Sequence, residues 1–168
     1  MPVEHIYVCA RMDDLPRVRI PAAQLEARGH VIVSRWLTEG NSTLSHLEIS
    51  RMDLEDLRRA TWVILDNITE GRSGGRCVEF GYALGLSHAA WDGRHRRISL
   101  VGPARNVFDS LVEPIEHFET WEGLLASRER KERSYVRRET QLGINPGEGP
   151  RDPGGVFNWS VEAISPRA

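Results

Sequence analysis

Cysteine is scarce in this 168-residue chain: Cys9 and Cys77 stand far apart, and no CxxC occurs. That spacing argues against a disulfide framework or a thiolate metal site, and both thiols are expected to be reduced and buried in a cytoplasmic protein. The six histidines are scattered, with neither HExxH nor any other ligand spacing, so neither a metal nor a cofactor is expected. Long apolar runs are missing as well, and none approaches the roughly 18 residues needed to span a bilayer. The opening MPVEHIYVCARMDD has no basic segment followed by an apolar one, which reads against export. Neither sign of charge dominates. Lys and Arg number 22 against 24 Asp and Glu, a net charge of −2, so binding to a nucleic acid polymer or a membrane surface is not expected. Both nucleotide fingerprints are absent too: GRSGGR lacks the GK[ST] of a phosphate loop, and GxGxxG does not occur.

What is present alternates. HIYVCA (5–10), VIVS (31–34), WVILD (62–66), RISLVG (97–102) and the shorter IEHF (115–118) read as strands. Helices are predicted over 15–28, from Ser45 to about Arg59, from the Gly-rich turn to about Ala89, and after Thr120. Pro21 either kinks the first helix or marks its true first turn, and Gly29 suits the position just past its end. VIVS is β-branched, as burial on both faces requires. SHLE, at Ser45–Glu48, has the capping-box pattern.

Strands alternating with helices at this spacing predict a single-domain α/β protein. The expected architecture is a Rossmann-like (flavodoxin-like) three-layer sandwich around a mainly parallel five-stranded sheet. Such folds bind ligands beyond the carboxyl ends of their strands. Residues 127–140 are dense in Arg and Glu, and GINPGEGPRDPGG reads as a linker. VFNWSVEAI then returns apolar side chains that either dock on the body or a neighbouring subunit, or stay disordered. The domain is expected to span residues 1–126, with 127–168 a charged, then Pro/Gly-rich extension.

One segment, GGRCVEFGYALG (74–85), places Glu79 among apolar neighbours. A helix apolar nearly all round is buried, and burying a carboxylate costs several kcal/mol unless it is paired or neutralised. Arg76, three residues earlier, offers a simple surface pair. Alternatively, Glu79 is held at the ligand crevice for chemistry, just inside a helix N-terminus where N–H groups favour oxygen ligands. Ser73 is the natural cap of that helix. A second acid comes from the helix at 45–59, whose apolar stripe is Leu47, Leu54 and Leu57 with Ser50 among them. Asp53 falls roughly 40° from Leu57 on a helical wheel, whereas Asp56 and Glu55 lie further round and are expected in water.

These residues resemble the nucleoside 2-deoxyribosyltransferase superfamily, which also contains 2-deoxynucleoside 5-phosphate N-hydrolases. The likeness lies in SRMDLEDLRRATWVILDNI, the Gly/Ser loop and VEFGYALG, with IYVCA, VGPARNVFDSL and HFETWEGLL resembling the flanking parts. It spans about residues 4–126. The resemblance implies that Glu79 is the nucleophile and Asp53 the helix aspartate that assists it. Ser73 stands where the hydrolase branch has a substrate-contacting serine, and Gly75 would offer its backbone N–H to a sugar or phosphate oxygen.

The first loop, Ala10-Arg11-Met12-Asp13, departs from the family's small residues. It would place Met12 against the base, with Arg11 an added charge. Trp36 is a second candidate for the base pocket, against plain core or interface packing. Asp109 replaces a serine that helps to hold the phosphate, and the repulsion between carboxylate and phosphate argues against a 5-phosphate unless Arg11, Arg76 or Arg105 offsets it. The family assembles as homodimers or larger homo-oligomers, and the segment around Asn106–Asp109 would reach a neighbour's site.

The expected activity is therefore cleavage of the N-glycosidic bond of 2-deoxynucleosides or their 5-monophosphates, by hydrolysis or by transfer to another base. A ribonucleotide or NAD N-glycohydrolase, and a non-catalytic nucleotide sensor, are the alternatives.

Overall fold

The structure is a computed structural model that describes residues 2–38, 43–71, 74–89, 96–106, 108–109 and 115–141. Its compact units are Met1–Lys131 and Glu132–Ala168. The segment 143–168, with its linker and apolar end, lies outside the described residues, as does Ser73.

Five parallel strands, β1 (His5–Cys9), β2 (Val31–Ile32), β3 (Trp62–Asp66), β4 (Arg97–Val101) and β5 (Ile115–Phe118), lie in the order β2-β1-β3-β4-β5. Among the described residues, four α-helices accompany them: α1 (Leu15–Glu26), α2 (His46–Arg59), α3 (Gly74–Ala89) and α4 (Trp121–Gln141). This is the flavodoxin-like arrangement, and its topological switch point falls between β1 and β3. Every residue of β3 is buried, as are Ile6–Cys9 of β1. Central parallel strands with helices over both faces need that continuous apolar run. No helix among the described residues is long and apolar enough to cross a membrane.

Local signals account for the helix ends. Pro16 sits in the first turn of α1, which continues through Pro21. Gly29, at φ 85°, closes it: its N–H donates to the Glu26 carbonyl at 2.8 Å and His30 N–H to the Leu25 carbonyl at 3.2 Å. That pair of bonds is a Schellman motif with glycine in the left-handed position. Ser45 and Glu48 form the full capping box of α2. Thr120 caps α4, its Oγ1 accepting from Gly123 N–H at 3.1 Å.

Three expectations need correction. β2 has two residues rather than four, and Val31 is 43% exposed, because this is an edge strand. The chain leaves the ladder after Val33, and the Ser34 hydroxyl accepts from Val8 N–H at 2.7 Å where a strand carbonyl would have done so. The apolar stripe of α2 is also rotated: Leu47 is exposed, while Met52, Asp56 and Leu57 are buried. Asp56 leaves water because Arg35 follows it in, with Nε 2.8 Å from Oδ1 and backbone N–H 3.0 Å from Oδ2. Finally, Cys9 is buried but Cys77 is exposed.

Candidate active site

Beyond the carboxyl end of β1 lies a cavity of about 630 Å³ between α2, α3 and the loops that follow β1 and β2. Met12, Trp36, Ile49, Leu54 and Val78 give it an apolar wall, and Asp53 and Glu79 supply its acids. His46, Ile49, Ser50, Asp53 and Leu54 recur at three- and four-residue intervals, so one face of α2 lines it. That volume lies within the usual range for small-molecule sites.

Glu79 projects from the second turn of α3 and leans back over the first, as helical side chains do. A Cβ at Gly75 would stand 4.0 Å from Glu79 Oε1. Burial lifts its carboxyl from an ordinary 4.5 to about 8, and the nearby Asp53 charge adds to the rise; hydrogen bonding from Cys9 and Tyr7 opposes it. Asp53 is lifted from 3.8 to about 6, mainly by burial, with the Tyr7 hydroxyl opposing and the Asp56 charge reinforcing the rise.

Tyr7 and Cys9 are fully buried and, two residues apart on β1, point to the same face of the sheet. Burial raises both of them, and the Glu79 and Asp53 charges raise them further. The Tyr7 hydroxyl and Asp53 Oδ1 are buried without a partner of full hydrogen-bond geometry. The hydroxyl nevertheless acts on both carboxyls, favouring the ionised form of each. Glu79 thus keeps its proton to higher pH than Asp53 does, and the Tyr7 hydroxyl acts on both acids.

A surface pair between Arg76 and Glu79 is not what forms. Arg76 is 3% exposed, and its guanidinium turns to the carbonyls of Asp66, Thr69 and Gly71. Of the base-pocket candidates, Ala10, Met12 and Trp36 line the cavity, as does Gly75. Trp36 is wall and core at once: it is 4% exposed, and its indole N–H donates to the Val8 carbonyl at 3.0 Å.

Arg11 turns away to Asp13 and to the Glu70 carbonyl. Asn106 and Asp109 do not reach this cavity either. They edge a second one, of about 650 Å³, on another side of α3 together with Val78, Phe80, Leu84 and Phe108. Asp109 is held by Asn67 Nδ2 and Arg105 N–H, each at 3.0 Å.

The sequence reading missed Tyr7, Cys9 and the α2 stripe. The stripe was legible as a three-and-four repeat from His46. The β1 pair was legible only as alternation toward an unknown face.

Fold and site together define a flavodoxin-like α/β protein with two carboxyls of raised proton affinity, Glu79 and Asp53, lining one cavity. No protein-family model matches the chain, and no curated protein matches it either. Among solved structures, a CMP N-glycosidase of Clostridium botulinum, BcmB, is similar at 14% identity. The match covers 74% of this chain and 98% of that one, with a TM-score of 0.53. At that identity the likeness is one of fold.

Proposed function

We propose that the protein is an N-glycosidase acting on nucleosides or their 5-monophosphates, with Glu79 as nucleophile and Asp53 as proton carrier. The observation that carries this reading is the Glu79–Asp53 pair, with affinities about 8 and about 6, at the cavity beyond the carboxyl end of β1. The apolar wall suits a flat base and the acid end suits a sugar.

An oxygen of ionised Glu79 bonds to C1′ as the C1′–N bond breaks, and the bonding electron pair leaves with the base. Asp53 gives its proton to that base. It then takes one from water, whose oxygen bonds to C1′ and releases Glu79. A second base in place of water makes the same step a transfer. Because Glu79 keeps its proton to higher pH than Asp53 does, turnover uses the form with Glu79 ionised and Asp53 protonated; Tyr7 acts on both groups and is the natural relay.

The sugar is read as 2-deoxyribose from the sequence resemblance. A ribonucleotide is the second reading, and the fold likeness to a CMP N-glycosidase favours it.

The subunit is proposed to work as a homodimer or larger homo-oligomer in the cytoplasm. Val78 and Phe108, 70% and 65% exposed, flank the second cavity, and Val78 lines both cavities, so a second copy seated there would adjoin the site.

The test is base release from deoxynucleosides, deoxynucleotides and their ribo counterparts, and from NAD, with and without an acceptor base. Wild type is expected to release base and Glu79→Ala to release none. A new nucleoside formed with acceptor identifies transfer. Binding without release by wild type would replace the reading with a nucleotide sensor.

A further inference from the structure

From Asp66, the last residue of β3, the chain runs on through Asn67–Gly71 toward α3, and all six backbone carbonyls of Asp66–Gly71 accept hydrogen bonds from arginines. Arg76 reaches three of them: Asp66 at 3.2 Å, and Thr69 and Gly71 at 3.4 Å each. Arg105 takes the carbonyls of Asn67 and Ile68, both at 3.1 Å. Arg11 takes that of Glu70 at 2.6 Å. Loop carbonyls ordinarily meet water or a turn N–H, whereas here every one meets a guanidinium. A planar guanidinium carries five donors in a fixed fork, so it can bind several carbonyls at once without adjusting. Bonds from a charged donor are also roughly twice as strong as neutral ones.

The neighbouring glycines fit the same device. Gly71 has φ 133°, and a Cβ there would stand 2.6 Å from Arg11 Nη1. Gly102 has φ 103°, and a Cβ there would stand 2.7 Å from Ile68 N and 2.8 Å from the Asn67 carbonyl carbon. One glycine admits an arginine; the other lets the end of β4 touch the loop backbone. Arg17 adds a cross-tie, with Nη1 and Nη2 each 2.8 Å from an Asp66 carboxyl oxygen.

We propose that Arg76, Arg105 and Arg11 are positioning residues that pre-set this loop, and that Arg76 thereby fixes the first turn of α3 and the placement of Glu79. The role assigned to Glu79 rests on the N-glycosidase reading; the brace itself does not. Arg76 acts through backbone geometry rather than through its charge. Its guanidinium is directed to the loop carbonyls rather than to the Glu79 carboxyl.

The brace is tested without substrate, by amide hydrogen exchange on Arg76→Lys. Lysine keeps the charge but cannot fork to three carbonyls. Exchange over residues 67–79 is expected to quicken about tenfold or more, with β1 and β4 unchanged, as local opening replaces lost charged-donor bonds. With the best substrate, kcat should fall about tenfold, KM should stay within about twofold, and both limbs of the pH–rate profile should keep their positions. Unchanged exchange would overturn the brace, and a displaced limb would mean that Arg76 acts by charge.

Should Arg76→Lys fail to fold, Arg105→Lys replaces it. It releases only the Asn67 and Ile68 carbonyls and should show the same pattern more weakly, while unchanged exchange there would equally refute the brace. If wild type turns over none of the substrates, the exchange arm still decides the brace, so the two readings fail separately.

Discussion

Replacing Glu79 with glutamine should stabilise the protein, and increasingly so as pH rises. The Glu79 carboxyl is raised from 4.5 to about 8, first by burial and then by the Asp53 charge. Between those values the folded state keeps a proton that the unfolded state has lost. Stability therefore falls as pH rises from about 4.5 and levels off above about 8. At about 1.4 kcal/mol per tenfold, the full shift corresponds to roughly 5 kcal/mol, of which about 4 kcal/mol falls between pH 5 and pH 9. That figure is a ceiling, and relaxation that halves the shift would leave about 2 kcal/mol. Glutamine has nothing to ionise, so Glu79→Gln should lack this fall. The assay is urea unfolding of both proteins at pH 5, 7 and 9, comparing midpoints at unchanged slope. The expected result is near equality at pH 5 and an advantage of about 2–4 kcal/mol for the variant at pH 9. A difference constant within about 0.5 kcal/mol across that range would refute the raised proton affinity of Glu79, and with it the acid pair.

The pair also sets the pH dependence of turnover: kcat/KM of wild type should be bell-shaped, with limbs near 6 and near 8 that belong to the coupled pair. Asp53→Asn removes a charge that raises Glu79, so its remaining limb should move down and its rate should drop for want of a proton donor. Tyr7→Phe removes a group that lowers both acids, so both limbs should move up; opposite shifts would contradict the geometry. Gly81→Ala and Gly85→Ala each add a Cβ that meets nothing within 4 Å in the single chain, so each should stabilise an isolated subunit by about 1 kcal/mol through helix propensity. Both should nevertheless weaken an oligomer seated on that face of α3. Sedimentation checks this, and an unchanged mass in both variants would place the interface elsewhere.

Much of the fold was legible. The capping box of α2, the left-handed turn at Gly29 and the apolar run of β3 are each written within a few consecutive residues. Glu79 stood out because an acid among Val78, Phe80, Ala83 and Leu84 conflicts with its surroundings, and such conflicts mark either partners or function. Asp53 was reached through the helical wheel, although the stripe it was measured against was partly misplaced. Asp56 was not legible as a buried group, since nothing near it in sequence announces Arg35. Likewise β2 reads as a longer buried strand, because its edge position and the Ser34 substitution for a ladder carbonyl arise only once β1 is beside it.

The sequence by itself determined the alternation of strands and helices, the helix ends and the presence of an acid in α3. Hydrogen bonds and side-chain periodicity within one element act over a few residues, so they can be read in order. Only the tertiary structure decided that Tyr7 and Cys9 meet Asp53 and Glu79, that Arg76 serves carbonyls rather than Glu79, and that Asn106 and Asp109 edge a different cavity. Proton affinity and partner choice depend on distance across the fold and on how much water is removed. Residues far apart in the chain set both, and they share a dielectric environment only after it has folded.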